Sequence, residues 1–444
     1  MLVGTKERNE VEPIVIGIIG IVLMLIMLGI GIHVAIVLFL VGFFGCAAIV
    51  GFGAAGAIVY LEPFEHMARY EMSVIPLFIL MGYFAFYGGI SHDAYNVASL
   101  WTRNLPGGLA LATTIGCGAF AAANGSSLAT AAIFTKISLP EMLKRGYSKE
   151  LAAGAIAASG TLAALIPPSA ILVIYGIFTE QSIGKLLIAG VIPGIMSIII
   201  YISGTVLRCK LNTSLAPLVT EPVSWKEKLI ALKHLWAIMA IFVLVIGGLY
   251  AGIFTPTEAG AIGALGAFII ILGKRRLTAS NLKEGLIETG VTSATVLFII
   301  AGAMVFGKYI VLSQLASTLM IWLSELTVPP LLVIIGFMAM YIIMGMFFDA
   351  IAMLAITLPI VAPIVESLGF SGIWFGILVV KIVEMAVISP PFGMNVYIVH
   401  STAGGLVTME QIFKGVGFFL ILDVITLVLL IGFPQITLVL PNMM

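Results

Sequence analysis

Runs of about twenty apolar residues recur along this chain, and a run of that length is what a helix needs to cross a bilayer. They fall near 14–32, 34–60, 73–90, 186–207, 235–253, 257–273, 291–312, 329–347 and 412–433. Hydrophobic residues make up 61% of the chain and charged residues only 9%. Soluble domains carry roughly 25% charged residues, so this inventory cannot cover a surface facing water. Lipid must be the solvent for most of the surface. In lipid, backbone polar groups have to be satisfied within the chain, which leaves helices or a closed barrel. Runs this long read as helices, so the fold class is an all-α polytopic membrane protein. Residues 1–12 are polar and mixed in charge, and the run after them outlasts a signal-peptide core; it is expected to be a retained first span.

Charge adds direction. The 21 basic and 21 acidic residues cancel, so nothing points to nucleic acid. The basic residues cluster in two loops. One holds Arg208, Lys210, Lys226, Lys228 and Lys233, the other Lys274, Arg275, Arg276 and Lys283. Two apolar runs separate them, so both loops face one side, and the positive-inside rule makes that side cytoplasmic. Segment 208–233, with Pro217 and Pro222, divides the chain into halves 1–207 and 234–444.

The halves repeat. An offset of 223 residues carries Pro106 onto Pro329, Pro140 onto Pro363, Gly146 onto Gly369, Pro167 and Pro168 onto Pro390 and Pro391, and Gly194 onto Gly417. No gap is needed, and Ser126 falls on Asp349. Weak internal symmetry of this kind marks many secondary transporters, and paired interruptions of apolar spans are the best sequence pointer to their binding sites.

Two pairs of interruptions stand out. The first is Asn124-Gly125-Ser126-Ser127-Leu128-Ala129-Thr130, matched by Gly345-Met346-Phe347-Phe348-Asp349. Hydroxyls, an amide and freed carbonyls are hard oxygen ligands suited to Na⁺ or to a polar anion. Gly, Ser and Ala also mediate ordinary helix packing. The second pair is Ser159-Gly160-Thr161 with Ile166-Pro167-Pro168-Ser169, matched by Ile388-Ser389-Pro390-Pro391-Phe392-Gly393. Proline removes backbone donors and frees upstream carbonyls, which can face a cation. The half-helix start after each break favours an anion. A kink used only for packing is the plainer alternative.

Asp349 is a carboxylate in an apolar stretch, which by default suggests ion or substrate contact. Capping a helix is its other reading. Lys381 and Glu384 share a helix face and form a buried pair in the simplest account. Thr255-Pro256-Thr257-Glu258 reads as a helix start. Cys46, Cys117 and Cys209 have no disulfide or zinc spacing. His33, His66, His92, His234 and His400 are scattered. Without HExxH, GxSxG or a phosphate-cradling loop, ATP hydrolysis and zinc proteolysis find no support here. The chain reads as a transporter and not an enzyme, with no cofactor beyond a coupling ion.

These stretches resemble a known family. The 124–130 run is similar to its Ser-Gly-Ser-Ser-x-Ala-Thr motif, and Gly160–Gly176, GTLAALIPPSAILVIYG, is close to its pattern. Similar too are Thr179–Ile183, Thr255–Ala261, Gly345–Phe347 with Asp349, and Pro390–Asn395. The family is the large membrane subunit of tripartite ATP-independent periplasmic (TRAP) transporters, and the likeness covers nearly the whole chain. Asn124, Ala164 and Ser389 stand where the family often has Ser, Gly and Thr.

The resemblance implies two inverted repeats with re-entrant hairpins and discontinuous helices, in an elevator-type fold like that of the ion-transporter superfamily. Scaffold helices would lie in 14–90 and 235–312, a hairpin and broken helix in 107–180 and in 331–403, and a final helix in 412–433. It implies a bacterial inner-membrane protein working with a separate small four-helix subunit (Q-type) and a periplasmic substrate-binding protein (P-type). It implies Na⁺-coupled import of an organic acid anion. Sodium would meet Asn124, Ser126, Ser127, Gly160, Thr161, Pro167, Gly345, Asp349, Ser389, Pro390 and Gly393. Substrate would meet Asn124, Gly125, Ser126, Ser127, Thr130, Asp349, Ser389 and Asn395. Proton coupling through Asp349 and Glu384 is the alternative. An intramembrane enzyme, a channel and a scaffold are more distant ones.

Overall fold

A computed structural model describes residues 12–217, 223–325 and 328–444. Residues 1–11 of the polar N-terminus, and Pro222 of the 208–233 segment, lie outside the described residues. Every regular element among the described residues is helical. The chain begins with α1 (Pro13–Gly29), α2 (Val34–Val50) and α3 (Phe52–Met67), then α4 (Val74–Tyr87) and α5 (Ile90–Thr102). A hairpin follows, α6 (Gly108–Asn124) and α7 (Ser127–Lys144), and then a broken helix, α8 (Lys149–Gly160), α9 (Leu162–Leu165) and α10 (Ala170–Thr179). Next come α11 (Ile183–Ala189) and α12 (Val191–Leu211). Beyond the linker, α13 (Trp225–Ala231), α14 (Trp236–Phe242) and α15 (Gly248–Tyr250) run on as one span. They precede α16 (Pro256–Gly273), α17 (Ala279–Leu312) and α18 (Leu315–Glu325). The second helix pair is α19 (Pro330–Gly345) with α20 (Ala350–Ser367), followed by a second broken helix, α21 (Gly372–Ala386) and α22 (Met394–Thr402). The chain closes with α23 (Met409–Gly432) and α24 (Gln435–Leu438).

Among the described residues, 7 helices are long and apolar enough to cross a bilayer, or 8 if the pair bent by 44° at Ile166–Ser169 counts as one. Helix α6 has 17 residues, about 25 Å at 1.5 Å per residue. That falls short of a hydrocarbon core of about 30 Å, as do α1 and α2 of the same length.

The apolar run at 34–60 is two helices. Gly51, at φ +87°, ends α2 and opens α3. A glycine supplies that left-handed turn without the Cβ clash any other residue would meet. Helix α5 escapes a hydropathy scan because Ser91, His92, Asp93 and Asn96 interrupt its apolar face. Thr255 and Glu258 form a reciprocal capping box with Pro256 at the first position of α16, as the sequence predicts.

The repeat is visible in the backbone. Gly146 and Gly369 both take positive φ, +79° and +83°. Ser148 and Ser371 both cap the following helix with their hydroxyls. Pro140 and Pro363 both lie inside helices. The bonds Pro167–Pro168 and Pro390–Pro391 are both cis.

By packing the chain forms two compact units. Of the described residues, the smaller takes those within 1–72, 294–334 and 354–370, the larger those within 73–293, 335–353 and 371–444. Both draw on both halves of the sequence. In the smaller unit, glycines let backbones approach, as small residues do between membrane helices. The Tyr309 ring lies where a Cβ on Gly20 or Gly45 would sit, and its hydroxyl donates to the Ile16 carbonyl at 2.6 Å. In the larger unit α8 and α23 touch backbone to backbone. A Cβ on Gly415 would come within 1.9 Å of the Glu150 carbonyl oxygen, and one on Gly154 within 2.4 Å of the Gly415 carbonyl carbon.

Candidate functional site

The site residues belong to the larger unit. The first hairpin tip is built by local chemistry. Gly125 takes φ +64° and ends α6. Ser126, in extended conformation, caps α7 by accepting the Ala129 N–H at 3.3 Å. Such a cap satisfies a donor the first helical turn leaves unpaired. The Asn124 amide donates to the Ser126 carbonyl and to the Thr130 hydroxyl, both at 3.1 Å. Thr130 in turn donates to the Ser126 carbonyl at 2.8 Å. Asn124, Ser126 and Thr130 thus brace one another across the turn.

This tip lies against the first break. A Cβ on Gly125 would come within 2.4 Å of the Pro168 carbonyl oxygen. A Cβ on Gly160 would lie 3.1 Å from the Ser127 carbonyl oxygen. At Gly125 the approach and the positive φ require glycine, while at Gly160 a Cβ would fit only tightly. At the break itself the Thr161 hydroxyl bonds back to the Ala158 carbonyl at 2.7 Å. Pro167 and Pro168 leave the upstream helix without two donors. Ser169 caps the new helix α10 through the Leu172 N–H at 3.3 Å. The tip and the break therefore meet backbone to backbone where neither helix is continuous.

The second tip repeats the design with a charge. Asp349 accepts the N–H groups of Ile351 and Ala352 at 2.8 and 2.9 Å, so its carboxylate caps α20. Its anionic form also suits the positive end of the helix dipole. Gly345 abuts α21, because a Cβ there would come within 2.1 Å of Ala386 Cβ. Phe347 on this tip meets Phe392 at the second break, with ring centroids 5.9 Å apart. At that break the Ser389 hydroxyl bonds the Met385 carbonyl at 2.8 Å, Pro390 precedes Pro391, and Gly393 at φ +56° opens α22. Among the described residues Ser126 and Asp349 share no hydrogen bond; each serves its own helix.

Near the tips and breaks, hydrogen bonds also cross between the repeats. Ser127 donates its hydroxyl to Glu384 Oε1 at 3.2 Å, tying the first tip to α21. Asn395 on α22 donates to the Ala157 carbonyl at 3.4 Å, while its Oδ1 is buried with no hydrogen-bond partner. Glu384 Oε2 is likewise buried and unpartnered.

Sequence pairing of Lys381 with Glu384 is corrected. Lys381 forms its ion pair with Asp423 of α23 instead. The same carboxylate accepts the Tyr201 hydroxyl at 2.7 Å, and the Lys381 ammonium lies 5.7 Å from the Tyr201 ring centroid. Lys381, Glu384 and Asp423 expose 2%, 2% and 0% of their surface. Asp423 and Tyr201 were missed. The signal was available, because a carboxylate inside an apolar run of this length is itself a flag.

Comparison with known proteins places the chain in a family. A family model described as "Tripartite ATP-independent periplasmic transporter, DctM component" matches residues 21–436. The C4-dicarboxylate TRAP transporter large permease protein DctM of Pseudomonas aeruginosa is 33% identical over 389 residues, 86% of this chain and 88% of that one. The sialic acid TRAP transporter large permease protein SiaM of Vibrio cholerae is 29% identical over 376 residues, 84% and 87% of the two chains. The crystal structure of the Alcanivorax borkumensis YdaH transporter is similar in fold, with TM-score 0.59 at 14% identity over 86% of this chain and 89% of that one. Relatives across the full length are thus permeases, and the chain belongs to the DctM-component family of tripartite ATP-independent periplasmic transporters, as a multi-pass protein of the bacterial inner membrane.

Proposed function

We propose that this chain imports a small organic acid anion by sodium-coupled secondary transport. A periplasmic binding protein would deliver the anion, and a separate small membrane subunit would be the third component. One observation carries the sodium reading: at Gly125 a Cβ would lie 2.4 Å from the Pro168 carbonyl oxygen, so the hairpin tip lies directly against the proline break, where upstream carbonyls have lost two backbone donors. Sodium is a hard cation and takes such carbonyl and hydroxyl ligands. Ordering the two tips and the two breaks around sodium would raise affinity for the anion. Coupling needs nothing more than different sodium affinities in loaded and empty states. The half-helix starts at Ser169 and Gly393 offer the anion N–H groups and positive dipole ends. Relatives named for C4-dicarboxylates and sialic acid make a carboxylate the substrate class of first choice. Inverted repeats and an elevator-type movement of the loaded site would complete the cycle.

A second reading rests on Glu384. Its buried carboxyl shares no ion pair with Lys381 and leaves one oxygen unpartnered, as a proton-carrying group would. Reconstitution with the binding protein and small subunit in proteoliposomes separates the two. An inward Na⁺ gradient at constant pH should drive uptake of the bound acid. Uptake that ignores Na⁺ and follows a pH gradient would move proton coupling to first place.

A further inference from the structure

A groove opens on the larger unit where the last turns of α12 face α23, with a cavity volume of about 350 Å³. Gly204 and Leu422 form its floor, and a Cβ on Gly204 would fall 2.6 Å from Leu422. Leu207 and Leu211 stand along its wall, exposing 59% and 79% of their surface. The charge in the groove is Arg208. Its guanidinium lies over the Phe418 ring, 4.5 Å from the centroid. That stacking fixes the fork but leaves Nη1 buried with no hydrogen-bond partner. No acidic side chain lines the groove among the described residues.

A buried guanidinium nitrogen without an acceptor is costly to leave unmet. Arginine's planar fork matches phosphate oxygens and takes two of them at once. Arg208 also heads the basic loop that the positive-inside rule sets at the cytoplasmic face, where headgroups begin. An apolar wall beneath a phosphate-matched cation, open toward lipid, fits one kind of molecule. We propose that this groove binds an anionic phospholipid, with its headgroup phosphate on Arg208 and an acyl chain along Leu207 and over Gly204 and Leu422. The shared chemistry with free phosphate is the oxyanion; the leucine wall is what favours the lipid.

The test uses the full chain in nanodiscs and in detergent. Lipid retention is read by native mass spectrometry, and thermal unfolding is followed with phosphatidylglycerol, phosphatidylcholine and inorganic phosphate as probes. Wild type should retain phosphatidylglycerol over phosphatidylcholine and be stabilised by it. Arg208→Gln should bind it at least tenfold more weakly. Leu211→Glu keeps Arg208 but supplies a carboxylate three residues away on the same helix face, and this exposed change should also abolish the preference. Lys210→Gln, a neighbouring exposed charge, should not alter it. Equal retention of both lipids, or a preference that survives Leu211→Glu, overturns the proposal. So does stabilisation reproduced by inorganic phosphate alone, which would assign the site to a soluble anion.

Discussion

The two broken regions share a backbone plan and differ in chemistry. Along the same 223-residue offset, Ser126 stands where the second repeat has Asp349, Thr161 where it has Glu384, Ile166 where it has Ser389, Ala158 where it has Lys381, and Ile200 where it has Asp423. Turn glycines, capping positions and proline pairs are kept, while at these positions the first repeat is neutral and the second, Ser389 apart, is charged. The backbone break is therefore what both copies need, and the charges are an addition to one of them. In the first repeat the oxygens come from carbonyls and hydroxyls. In the second, the buried Asp423 carboxylate takes the Lys381 ammonium and the Tyr201 hydroxyl in an apolar surrounding, which ties α21 to α12 and α23.

The largest effect should come from the charged copy. Asp423→Ala strands the Lys381 ammonium without its ion-pair partner, and breaking one partner of a buried pair costs about 3–5 kcal/mol. Thermal unfolding in detergent should show that loss, and Ile200→Ala at the matching, half-buried position should cost much less. Replacing Lys381 and Asp423 together with Met and Leu should restore much of the stability. Equal losses at Asp423 and Ile200 would break the contrast.

Next is the approach of the first tip to its break. Gly125→Ala adds a Cβ in a left-handed residue and against the Pro168 oxygen, which should destabilise by about 1–3 kcal/mol through strain and overpacking. Smaller still are the caps. Ser126→Ala removes an N-cap, about 1 kcal/mol. Asp349→Asn should leave stability within a few tenths of a kcal/mol, since Asn caps as well as Asp. It removes the charge all the same, so any loss of ion response in that variant is a loss of function and not of fold.

Much of this plan is legible in sequence because it depends on residues with narrow physical roles. Paired prolines, turn glycines and capping serines disclose where helices must stop, and their common offset discloses the duplication. The break at Gly51 was hidden because the residues on both sides of it are equally apolar. Helix α5 was hidden because its polar face interrupts the apolar run. The partner of Lys381 was hidden for a different reason: Glu384 is close in sequence, whereas Asp423 reaches it only through the packing of α21 against α23. Burial of that cluster is a tertiary fact that local pattern does not carry.

The sodium site is the central claim, and it is tested most directly by thermal unfolding of the purified protein in NaCl, KCl and choline chloride at equal ionic strength. A ligand that binds only the native state adds RT ln(1 + [L]/Kd), about 2.7 kcal/mol at a hundredfold excess over Kd. Wild type should gain stability in NaCl alone, and Ser126→Ala and Asp349→Asn should lose most of that gain. Equal stability of the wild type in all three salts would contradict a sodium site at these breaks.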